Sequence, residues 1–263
     1  MPFTLSHIAA VLPLRSRFLL PSGLVLGSTV PDIPLFVPLS DRPTTHSALG
    51  LVTWDLGMGL VLLAAFHLLL KHPLLALCPR AVRDRLEPVV NGPSRRRVLW
   101  AAVPSLLLGS VTHVVWDAFT HFTGPGVRAF PELTTVVNGL PVYRWGQYGS
   151  GVFGALAVLV WAAWWLRRAP AVPSAGAPRW VGATALFMTA AAVCGGAATT
   201  LFVRVPPSGY YRLRYFVTDS MVLIGCLALV YSLLYWSTVK MTARPADAAR
   251  EKKETRSTNV PQT

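Results

Sequence analysis

Charge is what this sequence is shortest of. Charged residues make up 13% of its 263 positions and hydrophobic ones 53%. A soluble domain carries nearly twice that share of charge, so lipid is the better solvent for this chain. Acids are the scarcer sign, with 11 Asp and Glu against 24 Lys and Arg. Cysteine is nearly absent. Cys78, Cys194 and Cys226 share no motif spacing, which excludes a disulfide framework and a thiolate metal site. The N-terminus lacks a signal-peptide pattern, because Pro13, Arg15 and Arg17 break its apolar segment and no basic region precedes it. It is expected to remain in the mature protein. No basic stripe interleaves with aromatics, so the net charge of +13 does not mark a nucleic-acid face.

Long apolar runs are what is present. Five stretches, about 52–70, 98–116, 150–166, 180–203 and 215–236, are long enough to cross a bilayer. A sixth, 18–37, is interrupted by Pro21, Pro31 and Pro34 and contains Asp32, so it reads as a short packed helix plus a turn. The expected fold is all-α: a polytopic integral membrane protein with about five transmembrane helices plus one or two short N-terminal helices, Ser6 or Thr4 capping the first. Residues 1–240 are expected to form a single helical membrane domain. Residues 241–263, polar and without apolar periodicity, are expected to be a disordered cytoplasmic tail. Basic residues collect on the cytoplasmic side of membrane proteins. Sixteen of the 24 fall in 71–97, 167–179 and the tail. The N-terminus is therefore expected outside the cell membrane and the C-terminus in the cytoplasm, with the lipid bilayer as the first partner.

That orientation gathers chemistry on the outer side. His7, Asp32, His46 and Asp55 precede or open the first run, and GSVTHVVWDAFTH carries His113, Asp117 and His121 out of the second. His67 and His72 fall at the inner end and read as ordinary interfacial histidines. Asp117 lies about 40° round a helix from His113, and His121 about 80°, so all three share a face if the helix runs on to Gly124 and Pro125. Imidazole and carboxylate are ligands for zinc, and for manganese or iron, and one centre takes three or four. One helix supplies part of that set, and His7, Asp32 and His46 are candidates for the rest. Each has a plainer reading taken singly: Asp32 as a turn residue, Asp55 as a helix cap, His113 with Asp117 as a bare hydrogen bond. Ionisable groups at membrane depth are costly, however, and their shared side favours a divalent-metal site with zinc first.

The segments PFTLSHIAAVLPL, LGSTVPDIP, TTHSALG and THVVWDAFTH resemble an uncharacterised bacterial membrane-protein family that opens with this Pro-Phe-Thr-Leu-Ser-His signature. The order of motifs is similar to that of membrane-bound metal-dependent hydrolases of the YdjM type, and more remotely to the helical zinc-dependent phospholipase C group. The resemblance covers most of residues 1–155. It implies His7, Asp32, His46, His113 and Asp117 as metal ligands, with His121 beside them. The function expected is a metal-dependent hydrolase at the outer membrane face, acting on a phosphoester or another lipid-linked substrate. Asp117 and Asp32 are the catalytic candidates, as ligand or general base, with Asp55 a third. Arg128, Arg144, Arg212 and Arg214 are candidates for holding an anionic headgroup, or else interfacial anchors. Gln147 reads as a neighbour of the site or a residue of the helix start. The rival expectation is a non-enzymatic membrane protein, a small transporter or scaffold with a structural His/Asp cluster. The lack of an evident internal repeat weighs against the transporter.

Overall fold

The computed structural model describes residues 4–14, 16–173, 180–204 and 208–257. A 3₁₀ turn at Thr4–His7 runs into α1 (Ile8–Val11), followed by α2 (Pro21–Gly27), a 3₁₀ turn at Val30–Leu35 and α3 (Arg42–Thr45). Then come α4 (Ala48–Leu77), α5 (Arg80–Asn91), α6 (Arg95–Thr120) and α7 (Pro125–Ala129). A two-stranded hairpin, β1 (Val136–Val137) and β2 (Leu140–Pro141), leads to α8 (Val142–Arg168). The described chain ends with α9 (Trp180–Ala198), a π-helical turn at Thr199–Val203, and α10 (Gly209–Ser257). The fold is all-α, and five helical segments are long and apolar enough to cross a membrane: α4, α6, α8, Val181–Val203 and Tyr211–Thr238.

Local chemistry accounts for the boundaries. At about 1.5 Å per residue, α6 is roughly 39 Å long, more than the roughly 30 Å of a bilayer core. Its first turn is closed by Ser94, whose hydroxyl accepts from the Arg97 amide at 3.2 Å. The hairpin turns on Asn138 and Gly139, with φ of 50° and 80°, the left-handed pair that a two-residue turn of this hand requires. Four of the five spanning helices outrun the apolar stretch that announces them, and the fourth in order, ending at Val203, matches its stretch. The segment α8 begins at Val142 rather than near residue 150, because Tyr143, Trp145 and Tyr148 continue the helix through the zone where membrane proteins place aromatics. Phe153 and Phe202 stay 73% and 85% exposed, as lipid-facing side chains would.

The chain divides into two compact units. One comprises the described residues of Met1–Leu68 and Pro79–Gly176, the other those of Leu69–Cys78 and Ala177–Thr263. In the first, α2 lies against α6 with the backbones touching. A Cβ on Gly27 would stand 2.2 Å from the Leu106 carbonyl oxygen, and one on Gly109 2.4 Å from that of Leu24. Lipid tails are as apolar as leucine, so such helices associate through close packing of small residues rather than by escaping water. Gly23-x3-Gly27 and Ser105-x3-Gly109 supply that contact, and the Ser105 hydroxyl accepts from the Leu20 amide at 2.7 Å. Leu20, Leu63, Ala101, Ala102 and Leu106 form the buried apolar core beside it. In the second unit α9 packs along α10, where a Cβ on Gly196 would meet the Ser220 amide nitrogen at 2.9 Å.

Two expectations differ from this fold. The last helix continues to Ser257, through most of the stretch read as a disordered tail; residues 258–263 lie outside the described residues. Composition registers the missing apolar face there, but ADAAREKKE is rich in helix formers, and extending an existing helix needs no new nucleus. Finally, neither Thr4 nor Ser6 caps α1. Its N-cap is His7, with no side-chain cap bond, and Thr4 is engaged elsewhere.

Candidate metal centre

The close contact of α2 with α6 determines what His113 can do. It brings the Ser28 carbonyl within 2.8 Å of His113 Nδ1. A carbonyl only accepts, so Nδ1 carries a proton and Nε2 is the ring atom turned inward. His113 is fully buried, and its Nε2 has no hydrogen-bond partner. One turn on, Asp117 shares the same helical face, with Oδ2 3.6 Å from that nitrogen.

The other members come from the irregular segments before α4. Asp32 sits buried in the 3₁₀ turn Val30–Leu35; Oδ1 lies 3.7 Å from His113 Nε2, and Oδ2 accepts from the Thr4 hydroxyl at 2.7 Å. The helix α3 starts on Asp41, whose side chain accepts from the Thr44 amide, and ends at His46. The Thr45 hydroxyl ties it to the Pro31 carbonyl at 2.8 Å. His46 repeats the logic of His113. Its Nδ1 faces the Arg42 carbonyl at 3.1 Å, leaving Nε2 to face Asp117 Oδ2 at 3.2 Å. His7 stacks on His113 with ring centroids 4.0 Å apart, and its unpartnered Nε2 lies 3.6 Å from Asp117 Oδ1, itself without a partner. Burial, with His113 adding to it, pushes the His7 imidazole down to about 4, so it is neutral and ligand-competent near pH 7.

One donor atom each from Asp32, His46, His113 and Asp117 lie within 4.8 Å of one another. Ligand atoms about 2.0–2.2 Å from one tetrahedral ion stand about 3.4 Å apart. Three of the six separations, 3.2–3.7 Å, bracket that value, and none exceeds 4.8 Å. Two nitrogens and two carboxylates, on three buried residues and the half-buried His46 and held from behind by carbonyls and a hydroxyl, fit a divalent ion of the zinc type.

The remaining predicted residues separate. His121 is not on the helix face: α6 ends at Thr120, and His121 has extended backbone, φ −125° and ψ 138°. Its Nδ1 still comes 3.4 Å from Asp117 Oδ2, while Nε2 accepts from the Gln147 amide at 3.0 Å. Both nitrogens are thus engaged at the edge of the cluster. Burial lowers this imidazole to about 4 as well, with Asp117 opposing and Arg42 reinforcing the shift. Asp55 makes no cap bond. It is 1% exposed, within electrostatic reach of His113, and neither carboxylate oxygen has a partner. His67 bonds Ser22 instead.

Among the arginines, Arg128 lines a 440 Å³ pocket that opens on the cluster, together with Arg42, His46, Asp117, Thr123 and Pro125. Arg144 does not; it bonds the hydroxyls of Tyr143 and Tyr148. Arg212 and Arg214 belong to the second unit and do not line this pocket. Sequence reasoning passed over Arg42, whose Nη2 donates to Asp117 Oδ2. Its signal was the spacing in DRPTTH, where it stands one helical turn before His46. Thr4 was likewise assigned to a cap. A second pocket, of 300 Å³, reaches His7 from the other side between Trp116, Phe153 and Gly154.

Fold and site together define a class: an all-α protein with helices of membrane length, holding a buried His/Asp cluster fit for a divalent cation. The chain belongs to the family described as domain of unknown function DUF4184, whose model matches residues 1–253. No curated protein and no solved structure matches it.

Proposed function

We propose that this protein is a membrane-bound, divalent-metal-dependent hydrolase acting on a phosphoester of a lipid-linked substrate, with zinc the first choice of ion. The observation that carries the reading is the convergence of His46 Nε2, His113 Nε2, Asp32 and Asp117, three of them buried and His46 half-buried, with both Nε2 atoms turned toward the carboxylates. His46, His113, Asp32 and Asp117 would hold the ion, with His7 completing or bridging the set. A bound divalent ion supplies Lewis acidity, polarising a phosphoryl oxygen and making water acidic enough to ionise near neutral pH. Asp117 Oδ1, beside the neutral His7 Nε2, is placed to take a proton from the attacking water and return it to the leaving alkoxide. Arg42 and Arg128 in the larger pocket suit the charge of a phosphoester. The apolar pocket beside His7 suits the chain of an amphiphile.

The motif order's likeness to YdjM-type hydrolases, and remotely to zinc-dependent phospholipase C, supports the same chemistry. The excess of basic residues in 71–97 and 167–179 supports a location of the N-terminus and the cluster on the outer side of the cell membrane. Metal analysis of the full chain purified in detergent, beside His113→Ala, tests the reading, with hydrolysis of bis(4-nitrophenyl) phosphate and a short-chain phospholipid as the second readout. Stoichiometric metal and metal-dependent release of product in the wild type alone are expected. Wild-type metal no higher than in His113→Ala would remove the proposal.

A further inference from the structure

We propose a second site, for an anionic phospholipid of the bilayer, at the end of α6 opposite the His/Asp cluster. A pocket of 490 Å³ lies among α1, α2, α8 and the start of α6, within the roughly 300–1,000 Å³ usual for ligand pockets. Ile8, Val11, Leu24, Val25, Val158 and Trp161 give it apolar walls, and Arg17 and Arg97 are its charged members. Arg97 and Asp117 stand twenty positions apart on α6, about 30 Å along the axis. The charged end of the pocket is therefore remote from the metal cluster, although Ile8 in its far wall follows His7.

The fold does not consume these two cations. Arg97 Nη2 donates to the Leu19 carbonyl at 3.3 Å, but its Nε is buried with no partner. Arg17 is exposed, its guanidinium 4.7 Å from the Phe18 ring centroid. No Asp or Glu lines the pocket, and the neighbouring charges on the two long helices, Arg95, Arg96, Arg167 and Arg168, are positive too. An anion is the complementary occupant, and guanidinium meets phosphate with paired N–H donors.

The surroundings decide its source. Leu99, Leu159 and Val160, on the same helices of membrane length as Arg97 and Val158, are 65–68% exposed, as lipid-facing side chains would be. A soluble phosphate would leave the apolar walls uncovered, and a zwitterionic lipid would meet two arginines with no net charge to offer. A phospholipid with a net negative headgroup satisfies both parts, as in basic pockets between membrane helices.

Native mass spectrometry of the full chain in detergent, with dioctanoyl phosphatidylglycerol, dioctanoyl phosphatidylcholine and inorganic phosphate as probes, tests this. Phosphatidylglycerol should be retained about thirtyfold better than phosphatidylcholine, the effect of two arginines at a headgroup, and phosphate should not be retained. Arg17→Gln with Arg97→Gln should abolish the preference. Val158→Trp should lower retention of both lipids by filling the pocket, and Arg167→Gln with Arg168→Gln should keep the preference. If the double variant elutes unfolded, Arg17→Gln alone should lose about fivefold. Equal retention of the two lipids, a preference that survives loss of the pocket arginines, or phosphate binding as tightly as phosphatidylglycerol would overturn the site.

Discussion

Each compact unit keeps a carboxylate among apolar helices, and the two are handled in opposite ways. In the second unit, Asp219 takes a bidentate guanidinium from Arg204, with both contacts at 2.9 Å, and the Thr199 hydroxyl at 2.9 Å. Arg204 in turn lies over the Tyr215 ring. Every strong acceptor has its donor, and the pair closes on itself. In the first unit, Asp117 Oδ2 is crowded by Arg42, His46, His113 and His121, while Oδ1, His7 Nε2, His113 Nε2 and both oxygens of Asp55 have no hydrogen-bond partner. Buried polar atoms without partners cost roughly 1–3 kcal/mol each. A fold retains a set of them only where something else completes it. The closed pair reads as architecture, and the open set as a site.

Breaking Asp117 should give the largest contrast. Asp117→Asn keeps the shape but removes a charged ligand of the proposed ion. It should weaken metal retention by more than about a hundredfold, beyond the range for outer-shell partners. Asp219→Asn should leave metal content at the wild-type level. Dialysis against a graded series of chelators, followed by metal analysis, separates the two; equal losses would erase the distinction between the units. Backbone contact gives the next effect. Gly109→Ala drives a methyl into the Leu24 carbonyl, and should cost about 2 kcal/mol in thermal unfolding in detergent while loosening the His113–Ser28 bond. Gly225→Ala, with nothing within 4 Å, should be neutral or slightly stabilising.

A subtler test probes how Asp32 is held. Thr4→Val keeps the volume and loses the hydroxyl, so metal affinity should drop about tenfold with little change in folding. Unchanged affinity would mean that Asp32 needs no such support. The smallest effect is expected at the closed pair. Arg204 is 46% exposed at its side chain, so Asp219→Asn should cost only about 1 kcal/mol of stability, whether or not metal is present.

Legibility followed the physics of each feature. Apolar run length exposed the five spans because lipid demands it, but the run stops where the apolar residues stop, whereas the helix stops where its hydrogen bonding does. That is why α8 begins eight positions earlier than its apolar run. His113 and Asp117 were legible as an i, i+4 pair, and His7, Asp32 and His46 as rare residue types on one side. What could not be read were the carbonyls of Ser28 and Arg42 that fix each imidazole's proton, since every residue carries one. The exit of His121 from the helix three residues before Gly124 was hidden for a similar reason: no glycine or proline marks it. Nothing in the residue type of Arg42 distinguishes an interfacial anchor from a partner of Asp117.

The 3₁₀ turn that carries His7 has a consequence for timing. Ser6 lies against Gly154 of α8, so closely that a Cβ there would stand 2.8 Å from both the Ser6 Cβ and its carbonyl oxygen. The surface that seats His7 is made about 150 residues after it. At roughly 5–20 residues per second, His7 waits on the order of ten seconds or more. Until the third spanning helix arrives, the nascent chain carries an unfinished cluster, with His46, His113 and Asp117 already synthesised and His7 unanchored. Every residue placed in or beside the cluster has been made by then, so its assembly does not have to wait for α9 and α10.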